Sequence, residues 1–314
     1  MRLRGHCIMI VRERENWFKM LFVWKGSVLP AILPRLGLLL LISVAVVFVQ
    51  GRLFEYKIPL NPAAFTLLGV ALAIFLGFRN NASYERFWEG RKLWGALLID
   101  TRSLTRQALT MTGLPADSPE VLSFVRLLIA FTYALKHQLR RTDPTEDFQR
   151  LLPQELVLRL AKARFKPILL LREMGQWVQA GKEAGRIDSI TQAAIDHNLN
   201  QLSNIVGGCE RIASTPIPYT YSVLLHRTVY LYCFLLPFGL VDSIGWMTPL
   251  MVVFVGYTFM ALESIVTEIE EPFGTEPNDL ALNTISQTIE ASLLEMAGQE
   301  IPKALKPKKK FILD

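Results

Sequence analysis

The chain has 314 residues, 51% of them hydrophobic, and a mean hydropathy of +0.29, which is too apolar for an ordinary water-soluble domain. Charged residues make up 20%, so a large part of the chain is nonetheless built for water. The net charge of +6 would suit nucleic acid or anionic lipid, but no zinc-finger, helix-turn-helix or aromatic RNA-binding pattern is present, and the basic residues flank the apolar runs, as membrane topology requires. Cys7, Cys209 and Cys233 are odd in number and far apart, so no disulfide framework is expected, and the four scattered histidines give no zinc spacing.

Residues 1–27 mix Arg12, Arg14, Lys19 and Lys25 with Trp17, Phe18, Phe22 and Trp24, the composition of a cytoplasmic interfacial helix rather than a cleaved signal peptide. An uncharged run from Leu36 to Val49 predicts a first membrane span over 28–50, with Arg35 snorkelling to the interface. Asn61 as N-cap and Pro62 at the first helical position start a second span, with the positive end of its dipole outward.

Within that span Val70, Ile74 and Phe78 recur every fourth residue and form a row about 12 Å tall on one face. Gly69, Ala73 and Gly77 make a thin seam beside it, suited to close helix approach. Such a row equally fits plain packing against lipid or another helix.

From Arg79 to Pro218 the apolar residues are periodic and prolines few, which predicts a helical bundle with helices over about 82–112, 117–141, 145–163, 167–182 and 189–213. A third span is expected from Tyr219 to Val241 and a fourth from Gly245 to Val266. His226 and Arg227 sit inside the third, where an arginine needs a partner; Glu263 is the candidate. The link between these spans carries no Lys or Arg, so both termini are placed in the cytoplasm. After a turn at Pro272 and Gly274, a helix capped by Asn278 would present Leu282, Ile285, Ile289, Leu293 and Met296 on one face. The tail KALKPKKKFILD is a basic peptide able to meet anionic lipid.

The block GFRNNASYERFWEGRKLWG, Gly77–Gly95, resembles the signature of the bestrophin family, in its bacterial and plant-type branch. WKGSVLPAILPRL (Trp24–Leu36) and EPFGTEPNDL (Glu271–Leu280) agree with it in order, and Met9 opens the stretch of closest resemblance, leaving Met1 or Met9 as the start. The resemblance implies an all-α integral membrane protein of four spans with a large cytoplasmic bundle, assembled as a homopentamer in the bacterial inner membrane. The expected division is a segment 1–27, spans one and two with the neck over 28–81, the bundle over 82–218, spans three and four over 219–268, and a cytoplasmic segment and tail over 269–314.

Carried over residue by residue, the pore neck falls on Val70, Ile74 and Phe78. A second, cytoplasmic aperture falls on Ile190, with Ile187 as the alternative. The run that clasps calcium in eukaryotic relatives reads TEPNDL here, leaving Glu276 and Asp279 as a degenerate remnant, so a tight calcium site is not expected and no cofactor is implied. The implied activity is passage of monovalent ions, chloride and other anions by resemblance. Asp188, Asp196 and Glu210 would favour cations such as sodium if they line the exit vestibule.

Arg79, Asn80, Asn81, Tyr84, Glu85, Arg86 and Trp88 are read as structural. The partners implied are copies of the chain, lipids and permeant ions. An enzyme lacks a convergent set of acids, bases or metal ligands, a carrier lacks internal repeats, and a non-conducting scaffold stays open.

Overall fold

The computed structural model describes residues 9–10, 16–24, 26–53, 56–57, 60–276, 278–302 and 312–313. Arg12, Arg14, Lys25, Cys7, Pro277 and the lysine run of the tail therefore lie outside the described residues. The chain is almost entirely helical and forms two compact units, one of residues 12–87 and 216–271, the other of residues 1–11, 88–215 and 272–314. Among the described residues only short ladders depart from an all-α reading: β1 (Met9–Ile10) pairs with β4 (Ile312–Leu313), and β2 (Arg52–Leu53) with β3 (Tyr56–Lys57), both antiparallel.

The first unit holds α1 (Trp17–Met20), α2 (Leu29–Phe48), the opening half of α3 (Pro62–Thr110), α9 (Tyr219–Ile244) and α10 (Thr248–Ile269). Three helical stretches among the described residues are long and apolar enough to cross a membrane: Leu29–Phe48, Pro62–Thr110 and Tyr219–Ile269. The last is two helices, α9 and α10, separated by a 3-10 turn at Gly245–Met247 that Gly245 enters at a φ of 50°.

Ile32, Leu36 and Leu39 of α2 pack with Val229, Cys233 and Leu236 of α9 and with Val252 and Met260 of α10. Close approach is bought by glycine: a Cβ on Gly256 would stand 2.9 Å from Leu39, and one on Gly239 only 2.5 Å from the Phe65 ring. The interfacial helix expected over 1–27 is described only as the single turn α1, whose Trp17 and Phe18 are exposed.

The second unit gathers the remainder of α3 with α4 (Pro119–Arg140), α5 (Thr145–Leu151), α6 (Gln154–Ala161), α7 (Lys166–Glu183), α8 (Ser189–Ser214) and α11 (Leu282–Met296). α4 is its axis, buried without interruption from Leu128 to Lys136, and α5, α7, α8 and α11 pack around it. Ser118 caps its start by accepting the Val121 amide, and Arg141 closes its end in the left-handed conformation. Trp94, Leu97, Thr101, Leu104 and Ala108 supply the buried face of α3, at three- and four-residue spacing.

Three expected boundaries are corrected. The helix expected to begin near 82 is the continuation of α3, an unbroken 49-residue helix, because no proline interrupts the backbone hydrogen bonding through the polar junction. The helix expected over 145–163 is two, since Pro153 lacks the amide that continuation needs. α11 begins at Leu282 after Ala281, not at a cap on Asn278.

Candidate functional site

α3 meets its own unit through Phe65, Leu72 and Leu76, all buried. Ile74 lies two residues from both leucines, about 200° around the helix, so the row Val70, Ile74, Phe78 faces away from that packing. The three side chains are 55%, 53% and 63% exposed. Leu67, Leu68 and Phe75 are exposed beside them, giving a broad apolar surface on a helix that one chain leaves uncovered.

The small-residue seam is used at one rung only. A Cβ on Gly69 would lie 2.9 Å from the Tyr232 hydroxyl, whereas Gly77 has nothing within 4 Å and Ala73 is exposed. α9 runs alongside α3, with Gly239 against Phe65, Tyr232 at Gly69 and the Tyr221 hydroxyl donating to the Phe75 carbonyl at 3.2 Å, yet nothing in it reaches the place of a Cβ at Gly77.

Below the row, Arg79 and Arg86 are two turns apart and reach the same residue. Arg79 Nη2 donates to Glu270 Oε2 at 3.1 Å and Arg86 Nε to the Glu270 carbonyl at 3.0 Å. Arg79 is 5% exposed, so this ion pair at the end of α10 is largely sheltered from water. Tyr84 and Trp88 are exposed, and the Arg91 guanidinium lies 5.3 Å from the Trp88 ring centre.

At the other candidate constriction, Asp188 is the N-cap of α8, accepting from the amides of Ile190 (2.7 Å) and Thr191 (2.8 Å). The Thr191 amide, followed by the Ile190 amide, holds its carboxyl below the usual range. Two residues past the cap, Ile190 points outward and is 84% exposed. Ile187, the alternative aperture residue, is 3% exposed and folds over Gly181, where even a Cβ would stand 2.6 Å from its Cδ1. Asp196 is exposed and accepts from Asn200, while Glu210 is half-buried and accepts from Gln138 Nε2 at 2.7 Å.

Glu276 and Asp279 belong to one tight turn. The Asp279 carboxylate accepts the Glu276 amide at 2.6 Å, and the Asp279 amide donates back to the Glu276 carbonyl. Among the described residues no group of three or more His, Cys, Asp or Glu is placed to hold a metal ion. On α11 the buried face is Leu282, Ser286, Ile289, Glu290 and Leu293; Ile285 is half-buried, and Met296, expected on that face, is exposed because the helix ends there.

In the membrane-spanning unit, Glu263 takes His226 rather than Arg227 as its partner, through Nδ1. Arg35 does not simply snorkel, because its Nη1 donates to Tyr230 Oη at 2.8 Å.

One polar cluster was not foreseen. Glu290, 3% exposed, accepts from Tyr133 Oη at 2.6 Å and from both terminal nitrogens of Arg150, while Asp147 accepts from His137 Nε2 at 2.9 Å. Burial, then the Glu290 carboxylate, push the Tyr133 phenol up and keep it a donor. A lone acid on an otherwise apolar helix face was the available signal.

A family model described as Bacterial/Fungal Bestrophin protein matches residues 9–295. A voltage-dependent anion channel-forming protein of Ralstonia nicotianae is 50% identical over 306 residues, covering 98% of this chain and all of that one. A protein of the same description from Escherichia coli K12 is 44% identical, covering 97% and 100%. Among solved structures, a bacterial bestrophin homologue from Klebsiella pneumoniae superposes with a TM-score of 0.82 at 45% identity, covering 86% of this chain and 99% of that one. Family model, near full-length relatives and fold agree: the chain is a membrane protein of the bacterial bestrophin family.

Proposed function

We propose that the chain is the subunit of a pentameric ion channel in the bacterial inner membrane, with four spans, cytoplasmic termini and a hydrophobic neck of Val70, Ile74 and Phe78. The observation that carries this is the outward apolar row on α3, opposite the Leu72 and Leu76 face that packs within the chain. Five copies of that row around an axis would form a constriction with no polar group to replace an ion's water shell. Such a ring blocks conduction by dewetting when narrow and admits hydrated ions when it widens. It acts as a gate and not as a filter. Ile190, thrust outward by the Asp188 cap, suits the second constriction at the cytoplasmic exit.

Monovalent anions are the proposed cargo, supported by the channel-forming relatives described above. A second reading, cation conduction through the same architecture, is favoured by Asp188 and Asp196, exposed on the same helix as Ile190. Purified protein in sealed liposomes separates them. Passive flux with a reversal potential near the chloride equilibrium value under a sodium chloride gradient supports the anion reading. A value near the sodium equilibrium potential supports the cation reading, and absence of flux refutes both.

A further inference from the structure

Between α2 and α9 lies a groove of about 590 Å³, with Met260 of α10 at its back. Its walls divide by chemistry. Leu38 and Ile42 of α2 and Leu231 and Phe234 of α9 are apolar, while Arg35, Arg227 and their neighbours His226 and Tyr230 are polar.

The two helices run parallel, since Arg35 meets Tyr230 at one level and Val46 and Val47 meet Phe238 and Val241 further along both. All the polar residues therefore sit at one end, and the apolar walls continue about 10 Å along the helix axes beyond Arg35. That is the layout of a headgroup site with an acyl channel.

Charge points to the sign of the headgroup. Glu263 is the carboxylate facing this end, and His226 already engages it. Arg35 spends one of its five N–H donors on Tyr230. Arg227 is exposed and forms no hydrogen bond or ion pair among the described residues, in a helix apolar enough to span a membrane. An arginine kept there without a protein partner calls for an anionic one.

We propose that this groove binds one anionic phospholipid, its phosphate taken by Arg35 and Arg227 and an acyl chain laid along Leu38, Ile42 and Phe234. The reading depends on the chain being a membrane protein and not on its conducting ions.

The test is native mass spectrometry of the purified full-length protein in detergent, titrated with phosphatidylglycerol or phosphatidylcholine. Phosphatidylglycerol should be retained selectively. Arg227→Gln, which breaks no hydrogen bond or ion pair among the described residues, should weaken it about fivefold, and Arg35→Gln with Arg227→Gln about 25-fold, the usual worth of one and two basic groups at an anionic headgroup. Leu38→Trp, which narrows the groove with both charges intact, should weaken it as well, and excess inorganic phosphate should leave the lipid bound. Equal retention of the two lipids, unchanged binding by Arg227→Gln and Leu38→Trp, displacement by free phosphate, or cross-linking that places a second copy over Leu231 would each overturn the proposal.

Discussion

Removing the Glu290 carboxylate tests whether the unforeseen cluster holds α11 to α4 and α5. In Glu290→Ala the buried Tyr133 hydroxyl loses its acceptor at 2.6 Å, at a cost of about 1–3 kcal/mol. Arg150 also loses the Glu290 half of its pairing but keeps Asp147 at 3.6 Å, and its side chain is 47% exposed and rehydrates, so solvent screening holds this part to about 1 kcal/mol. The total is about 3 kcal/mol, or about 6–12 °C in melting temperature for a unit of this size. Thermal unfolding in detergent, followed by tryptophan fluorescence, reads it directly, since the buried Trp94 lies in the same unit. The stranded hydroxyl has a signature of its own. Adding Tyr133→Phe to Glu290→Ala should restore about 1–2 kcal/mol, because no unpaired phenol then remains buried. A double variant no more stable than Glu290→Ala alone, or a single variant melting within about 2 °C of the parent, would refute the reasoning.

Further outcomes follow from other sites. Ile74→Ala, and more so the triple alanine change at Val70, Ile74 and Phe78, should raise liposomal current; unchanged or lower current in folded channels removes these residues from the neck. Burial acts to raise the Asp147 carboxyl, but the hydrogen bond from His137 and the charges of Lys136, His137 and Arg150 hold it below the usual range. A depressed carboxylate stabilises the fold above the unfolded pKa of about 3.9 and loses that contribution as pH falls through the folded value. The melting-temperature gap between the parent and Asp147→Asn should therefore shrink below about pH 4, and a gap constant down to pH 3 would count against it. Burial pushes the Cys209 thiol up to about 12, so maleimide at neutral pH should leave it unmodified by peptide mapping until the protein is denatured; prompt labelling of native protein would contradict its placement.

The row on α3 was legible because four-residue spacing on a helix is a statement about direction, and Asn61 and Pro62 announce where that helix starts: the Ala63 amide donates to Asn61 Oδ1 at 2.9 Å. What sequence could not supply was rotational phase between helices. His226 and Arg227 point about 100° apart, and only the orientation of α10 against α9 decides which one meets Glu263. Ile187 and Ile190 present the same difficulty, since the tight approach of Ile187 to Gly181 buries one while the Asp188 cap exposes the other. Glu290 escaped notice because its neighbours Leu282, Ile289 and Leu293 define the apolar stripe so plainly that the acid among them reads as solvent-facing. The change of composition after Phe78 mimics the start of a new helix, yet backbone hydrogen bonding is indifferent to that change.

Phe78 and Arg79 are consecutive on α3, so they turn as one. Any twist that swings the phenyl ring aside drags the neighbouring guanidinium through the same arc, away from Glu270, and Arg86 two turns later must let go of the same residue's carbonyl. Axial rotation of α3 would therefore break both contacts with the end of α10 together.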